Sequence, residues 1–160
     1  MLSVFDGLRD VTTLSVFVRL ACALICGGII GIERSYKRRP AGFRTHILIC
    51  IGAAITTLTS QYLYLNMHYF TDMARLGAQV VAGIGFIGAG TIIVTKRQRV
   101  KGLTTAAGLW TSAIIGLTFG GGFYEGGILA TVFIMLAELV FSRIEYRVLE
   151  NVPEINLYME

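Results

Sequence analysis

Charge is scarce in this chain, and what there is falls in clusters. Only 15% of the 160 residues are Asp, Glu, Lys or Arg, against 54% hydrophobic, too few to coat a soluble domain of this size. The chain therefore belongs in a bilayer. Proline is almost missing, with two residues, and no segment alternates with period two, which argues against a turn-rich β fold and against a β-barrel. Cysteine is sparse and odd in number. Cys22, Cys26 and Cys50 all lie in apolar runs, which points to packing and not to a disulfide framework or a metal site. No nucleophile stands at helical spacing from a base, and neither a zinc spacing nor a Walker loop occurs, so an enzyme is not expected. Residues 1–10, with Asp6, Arg9 and Asp10, lack the basic start of a secretory signal, and the first apolar run is expected to be retained.

What is present is a series of apolar runs near 11–32, 45–65, 74–95, 103–119 and 123–142, most of them close to the roughly 20 residues a spanning helix needs. Between the first two runs stand five cations, Arg34, Lys37, Arg38, Arg39 and Arg44, against the single acid Glu33. A second basic group, Lys96, Arg97, Arg99 and Lys101, follows the third run, and Arg143 and Arg147 follow the fifth. The alternate loops carry only residues such as Asn66, His68, Asp72 and Glu125. Positive loops stay on the cytoplasmic side. The pattern predicts an all-α membrane protein, a bundle of five transmembrane helices over 1–144 with its N-terminus outside and its C-terminus cytoplasmic. The polar tail 145–160 is too short for a second core.

Glycine is the abundant small residue, with 19 copies, and its spacing is informative. Gly27 and Gly31 form a GxxxG pair. Gly108, Ser112, Gly116 and Gly120 recur every fourth residue and draw a small stripe down one helix face. Gly83, Gly85, Gly88 and Gly90 crowd the third run. The spacing Gly83, Gly85, Gly88 matches a dinucleotide phosphate loop, but the residues before it continue the apolar run and those after it are basic where an acid is needed. Close packing against a neighbouring helix is the expectation there, with a broken helix lining a cavity as the alternative. The stripe beginning at Gly108 leaves a groove, from which a homodimer is expected.

The costly polar groups sort into two depths. An outer layer holds Arg19, Asp72, Gln79 and Glu125; an inner layer holds Glu33, Arg34, Arg44, Thr45, His46, Thr104, Thr105 and Glu138. Arg19 is the deepest charge and needs either the outer interface, a partner such as Gln79 or Asp72, or a polar cavity. Glu33 is either an interfacial salt bridge or, with hydroxyls and carbonyls, an oxygen-lined cation site of the kind magnesium uses. His46 is either a hydrogen-bonded interfacial residue or a titrating or ligating one. Trp110 is expected to pack in the core. The basic loops could attract anionic lipid; they are too short for nucleic acid.

Three ordered segments carry a resemblance. Gly31-Ile32-Glu33-Arg34 with Arg39-Pro40-Ala41-Gly42-Phe43-Arg44-Thr45-His46 is the first. Arg75-Leu76-Gly77-Ala78-Gln79 running on through Gly83 and Gly85 to Gly88-Ala89-Gly90 is the second, and Lys101-Gly102-Leu103-Thr104-Thr105-Ala106-Ala107-Gly108-Leu109-Trp110 is the third. Together these resemble the MgtC/SapB family of bacterial membrane proteins over roughly residues 12–142. The resemblance implies an inner-membrane protein of magnesium homeostasis and stress adaptation, associated in pathogens with virulence. It implies a regulator acting through other membrane proteins such as the ATP synthase, with magnesium, cation or proton transport as the alternative. It places Glu33, Arg34, Gly42, Arg44, Thr45, Asp72, Arg75, Gln79, the glycines from Gly83 to Gly90, Thr104, Thr105 and Trp110 on family positions. Two departures stand out. Met73 replaces a proline common after the residue matching Asp72, and longer members continue into a soluble C-terminal domain that this sequence does not include.

Overall fold

A computed structural model describes residues 3–70, 72–96 and 99–150. After a 3-10 helix at Ser3–Leu8 come α1 (Thr13–Tyr36), α2 (Phe43–Leu65) and α3 (Arg75–Thr91). A two-stranded antiparallel hairpin, β1 (Ile93–Val94) with β2 (Val100–Lys101), leads into α4 (Leu103–Gly120) and α5 (Tyr124–Leu136). A π-helical turn, Ala137–Phe141, joins α5 to α6 (Ser142–Glu150).

Local chemistry sets these boundaries. Thr12 caps α1, its hydroxyl accepting from Ser15 N at 3.2 Å while Thr12 N donates to Ser15 Oγ at 3.0 Å. The first amide of α2 is held from α1, since Phe43 N donates to Ser35 Oγ at 2.8 Å. A Cβ at Gly42 would push that same hydroxyl aside and disturb its bond to Phe43 N.

Four helical stretches are long and apolar enough to cross a membrane: Thr13–Tyr36, Phe43–Leu65, Leu103–Gly120 and Tyr124–Ile144. α3 has 17 residues, about 25 Å at 1.5 Å per residue, and is the short one of the expected five. The run expected to be helical to 95 stops at Thr91 because Ile92 turns extended and the β-branched Ile93 and Val94 pair with Lys101 and Val100. Of the tail expected at 145–160, the backbone through Glu150 is helical, and 151–160, like Arg97, lies outside the described residues.

The glycines explain how the helices pack. α2 lies between α1 and α4 and touches both extensively. On the α1 side, a Cβ at Gly27 would come within 2.9 Å of Cys50 Cβ, and one at Gly31 within 2.7 Å of Phe43 Cα. On the α4 side, Gly116 lies against the Cys50 carbonyl and 2.8 Å from Ala53 Cβ, and Gly120 lies 2.9 Å from Ala54 Cα, again measured from a hypothetical Cβ. The groove drawn by Gly108, Ser112, Gly116 and Gly120 is therefore filled by α2 of the same chain, and it leaves no opening for a second copy.

The third glycine group behaves differently. Cβ atoms at Gly83, Gly85 and Gly90 would meet nothing within 4 Å, and only Gly88 has a neighbour, Ala106 at 3.4 Å. Close packing at this stretch is thus limited to one contact within the chain. α3 is also unbroken over these residues, so the alternative of a helix break does not occur. Trp110, expected in the core, is 44% exposed on α4. The centre is instead built mostly from small and medium residues, among them Ala23, Cys26, Ile30, Cys50, Ala54 and Ile115, with Phe119 and Tyr124 as its large members, while many large apolar side chains such as Phe17, Leu48, Phe86, Phe133 and Phe141 face outward. That inversion suits a surface whose solvent is lipid.

Candidate functional site

The buried charged groups and their partners form two separate clusters, one at each end of the bundle. In the one at the end expected to face outward, Arg19 is fully buried, and four oxygens solvate its guanidinium. Nη1 donates to Gln61 Oε1 at 2.7 Å and to the Gly120 carbonyl at 2.8 Å; Nη2 donates to the Leu8 and Arg9 carbonyls at 3.2 and 2.5 Å. These carbonyls are the ones a helix end leaves without an intrahelical partner, so the cation closes the ends of both the 3-10 helix and α4. Among the described residues no carboxylate lies within ion-pair distance of Arg19, and its charge is balanced by dipoles alone.

Around it the N-terminal segment is stapled to the start of α5. Arg9 donates to the Gly122 carbonyl at 2.9 Å and to Glu125 Oε1 at 2.7 Å, and the Phe5 ring stacks on Tyr124 with centroids 4.9 Å apart. Loss of water works against the Arg9 charge, but the hydrogen bonds it donates to the Asp6 and Glu125 carboxylates outweigh it and raise its pKa above the ordinary value. The expected partners of Arg19 are elsewhere. Gln79 is exposed on α3, and Asp72 is exposed and accepts from Ala74 N at 2.9 Å, so neither reaches the guanidinium. Gln61 supplies the side-chain contact instead. Its signal in the sequence was present but slight, an amide near the end of an apolar run at the same depth as Arg19.

The second cluster, at the end expected to be cytoplasmic and so called the inner cluster, joins α1, α2, α4 and the π-helical turn. Arg34 is 1% exposed; Nη1 donates to Glu138 Oε2 at 2.9 Å and Nη2 to Thr105 Oγ1 at 3.0 Å. Lys37 donates to the Glu138 carbonyl at 2.6 Å and to Ser142 Oγ at 3.2 Å, and its Nζ lies 2.6 Å from Glu33 Oε1. That last contact is an ion pair off the hydrogen-bonding directions, which leaves both Glu33 oxygens without a hydrogen-bond partner although the residue is 7% exposed. Glu138, the partner of Arg34, lies within the π-helical turn, a distortion often found at functional sites.

His46 is fully buried at the start of α2. Its Nδ1 is 2.9 Å from the Gly42 carbonyl, its Nε2 has no partner, and the absent side chain of Gly108 leaves room beside it. Arg34, Glu138 and Glu33 are the charged groups within electrostatic reach of the ring. Of the other expected members, Thr45 is half-buried, while Arg44 and Thr104 are exposed and lie outside the cluster; Arg75, expected in the polar network, is exposed at the start of α3. Lys37, expected only as a topology charge, belongs to it, and so does Ser142, which sequence reasoning missed.

Chemically, the inner cluster balances two cations, Arg34 and Lys37, with two carboxylates, Glu33 and Glu138. Among the described residues no three His, Cys, Asp or Glu side chains converge on a point where a metal would sit. Glu33 alone, with an ammonium already at 2.6 Å, is a poor cradle for a divalent cation, which seeks a set of free oxygens. Between the two clusters lies a packed apolar core that includes Ala23, Cys26, Cys50, Ala54, Ile115 and Phe119.

The sequence model of the MgtC family matches residues 20–147. The chain belongs to the MgtC family. It is 42% identical over 143 residues to YhiD of Escherichia coli K12, which carries the provisional name of a magnesium transporter; the match covers 87% of this chain and 66% of YhiD. It is 37% identical over 131 residues to protein MgtC of Salmonella typhimurium 14028s, covering 82% of this chain and 54% of that protein. An uncharacterized Haemophilus influenzae protein is 40% identical over 129 residues, 78% of this chain and 54% of its own length. The chain thus spans between about half and two thirds of these relatives. No solved structure matches it. Family membership and the four apolar helices of spanning length make this a multi-pass membrane protein.

Proposed function

We propose that this member of the MgtC family takes part in magnesium handling in the bacterial inner membrane, with its basic loops cytoplasmic, and acts by regulating other membrane proteins and not by passing ions. The link to magnesium rests on the family and on the name carried by YhiD. The observation that carries the regulatory reading is the interior itself. A cation crossing the bundle would have to leave a charge-balanced inner cluster, pass a packed core of Ala23, Cys50, Ile115 and Phe119, and then displace a buried arginine that no carboxylate compensates. A fixed buried guanidinium is an electrostatic barrier to cations, as arginines are in selective pores.

Transport remains the second reading because Glu33 keeps two buried oxygens without hydrogen-bond partners near His46 Nε2. Affinity capture from native membranes, after mild crosslinking, separates the two. The regulatory reading expects a different membrane protein to be recovered in stoichiometric amount. Recovery of the protein's own copies alone would overturn it.

A further inference from the structure

The hairpin between α3 and α4 gathers Lys96, Arg99 and Lys101 around Thr95 in an open cleft of about 290 Å3, with no acid among the described residues that line it. The turn is satisfied without the basic side chains. Thr95 N donates to the Arg99 carbonyl at 2.9 Å, Thr95 Oγ1 donates to the same carbonyl at 3.1 Å, and Arg99 N donates to Thr95 Oγ1 at 3.2 Å. Among the described residues the three basic side chains make no ion pair, whereas Arg9, Arg34 and Lys37 are all paired.

The platform is also anchored. Gly102, at φ 97°, takes a conformation suited to glycine, and a Cβ there would collide with the Thr91 carbonyl, so the hairpin sits directly on the end of α3. Beside the cations Ile93, Val94 and Val100 are 62%, 66% and 51% exposed. Fixed positive charge next to exposed β-branched side chains, at the point where α3 and α4 leave the apolar layer, matches a ligand with an anionic head and hydrocarbon tails. A free phosphate would leave the apolar side chains unused.

We propose that Thr95, Lys96, Arg99 and Lys101 form a binding site for the headgroup of an anionic phospholipid in the leaflet at this end of the bundle, with the lipid's tails lying along Ile93 and Val94. Charge and apolar contact then act on one molecule. A lysine or arginine close to an anionic surface strengthens binding about fivefold, so three together give a preference on the order of a hundredfold over a zwitterionic lipid.

The test is native mass spectrometry of the whole protein released from nanodiscs of phosphatidylcholine mixed with phosphatidylglycerol. The wild type is expected to retain one phosphatidylglycerol, and Lys96→Gln/Arg99→Gln/Lys101→Gln to lose it. Arg38→Gln/Arg39→Gln, which removes two exposed cations from the neighbouring loop, is expected to keep it. Equal retention by the triple variant, equal loss in the Arg38/Arg39 control, or displacement of the lipid by inorganic phosphate would each overturn the proposal. The single Lys101→Gln variant is run in parallel, with partial loss expected, so that an unfolded triple variant cannot stand in for lost binding; full retention by a folded single variant counts against the site.

Discussion

Replacing Arg34 with methionine keeps most of the side-chain volume and removes the charge, which strands Glu138 beside Thr105. In soluble proteins removing one member of a buried pair costs about 3–5 kcal/mol. Inter-helix polar contacts inside membranes average nearer 0.6 kcal/mol, because the separated helices also find partners. Arg34 is 1% exposed and Glu138 has 15% of its side chain exposed, so the stranded carboxylate is only partly able to reach water. The expected loss for Arg34→Met is therefore about 3 kcal/mol, at the low end of the soluble range. Arg34→Met/Glu138→Met removes both charges, and it is expected to recover to within about 1 kcal/mol of wild type, since apolar replacement of a whole pair is often neutral. Reversible unfolding in mixed micelles, followed by circular dichroism and the single Trp110, measures both. A single variant that costs less than about 0.5 kcal/mol, as an exposed pair would, refutes the reasoning. So does a double variant as damaged as the sum of the two singles.

Gly116→Leu has no space against the Cys50 carbonyl and is expected to abolish folding or cost at least about 3 kcal/mol, whereas Gly85→Leu, which meets nothing, is expected to leave the unfolding midpoint unchanged or raise it slightly. Arg19→Met removes three hydrogen bonds to carbonyls at the ends of the 3-10 helix and α4 and a fourth to Gln61, and is expected to make residues 3–12 several-fold more sensitive to limited proteolysis in nanodiscs. Unchanged cleavage would contradict the capping role. Cys26 and Cys50 are buried and free, and a small maleimide is expected to label them only after unfolding in detergent. Rapid labelling of native Cys50 would mean that α2 does not sit between the two glycine faces.

The helices were legible because apolar length and basic loops are properties of single segments, and α1, α2 and α4 follow them within four residues at each end. Pairing was less legible, since it depends on which segments meet. The stripe from Gly108 to Gly120 was visible as a groove, yet nothing in its spacing distinguishes α2 from a second copy as the occupant. The dense glycines from Gly83 to Gly90 drew attention by number alone, and three of the four named there face open space. The cost of burying Arg19 was readable, but rotation about the helix axis was not, so Gln79 and Asp72 stood as its expected partners and Gln61 was passed over until α2 and α3 were placed. Glu138 could be assigned to the inner layer, while it lies within a π-helical turn that AELVF does not announce. The hairpin escaped notice because two-residue strands carry too little pattern to read.

The most direct measurement of the account is magnesium flux into liposomes that contain the purified protein, with an inward gradient and a trapped fluorescent indicator, in the presence and absence of a membrane potential. A bundle closed between Arg34 and Arg19 predicts entry no faster than into protein-free liposomes. Saturable entry that disappears in Glu33→Gln would contradict it and make this protein a conduit.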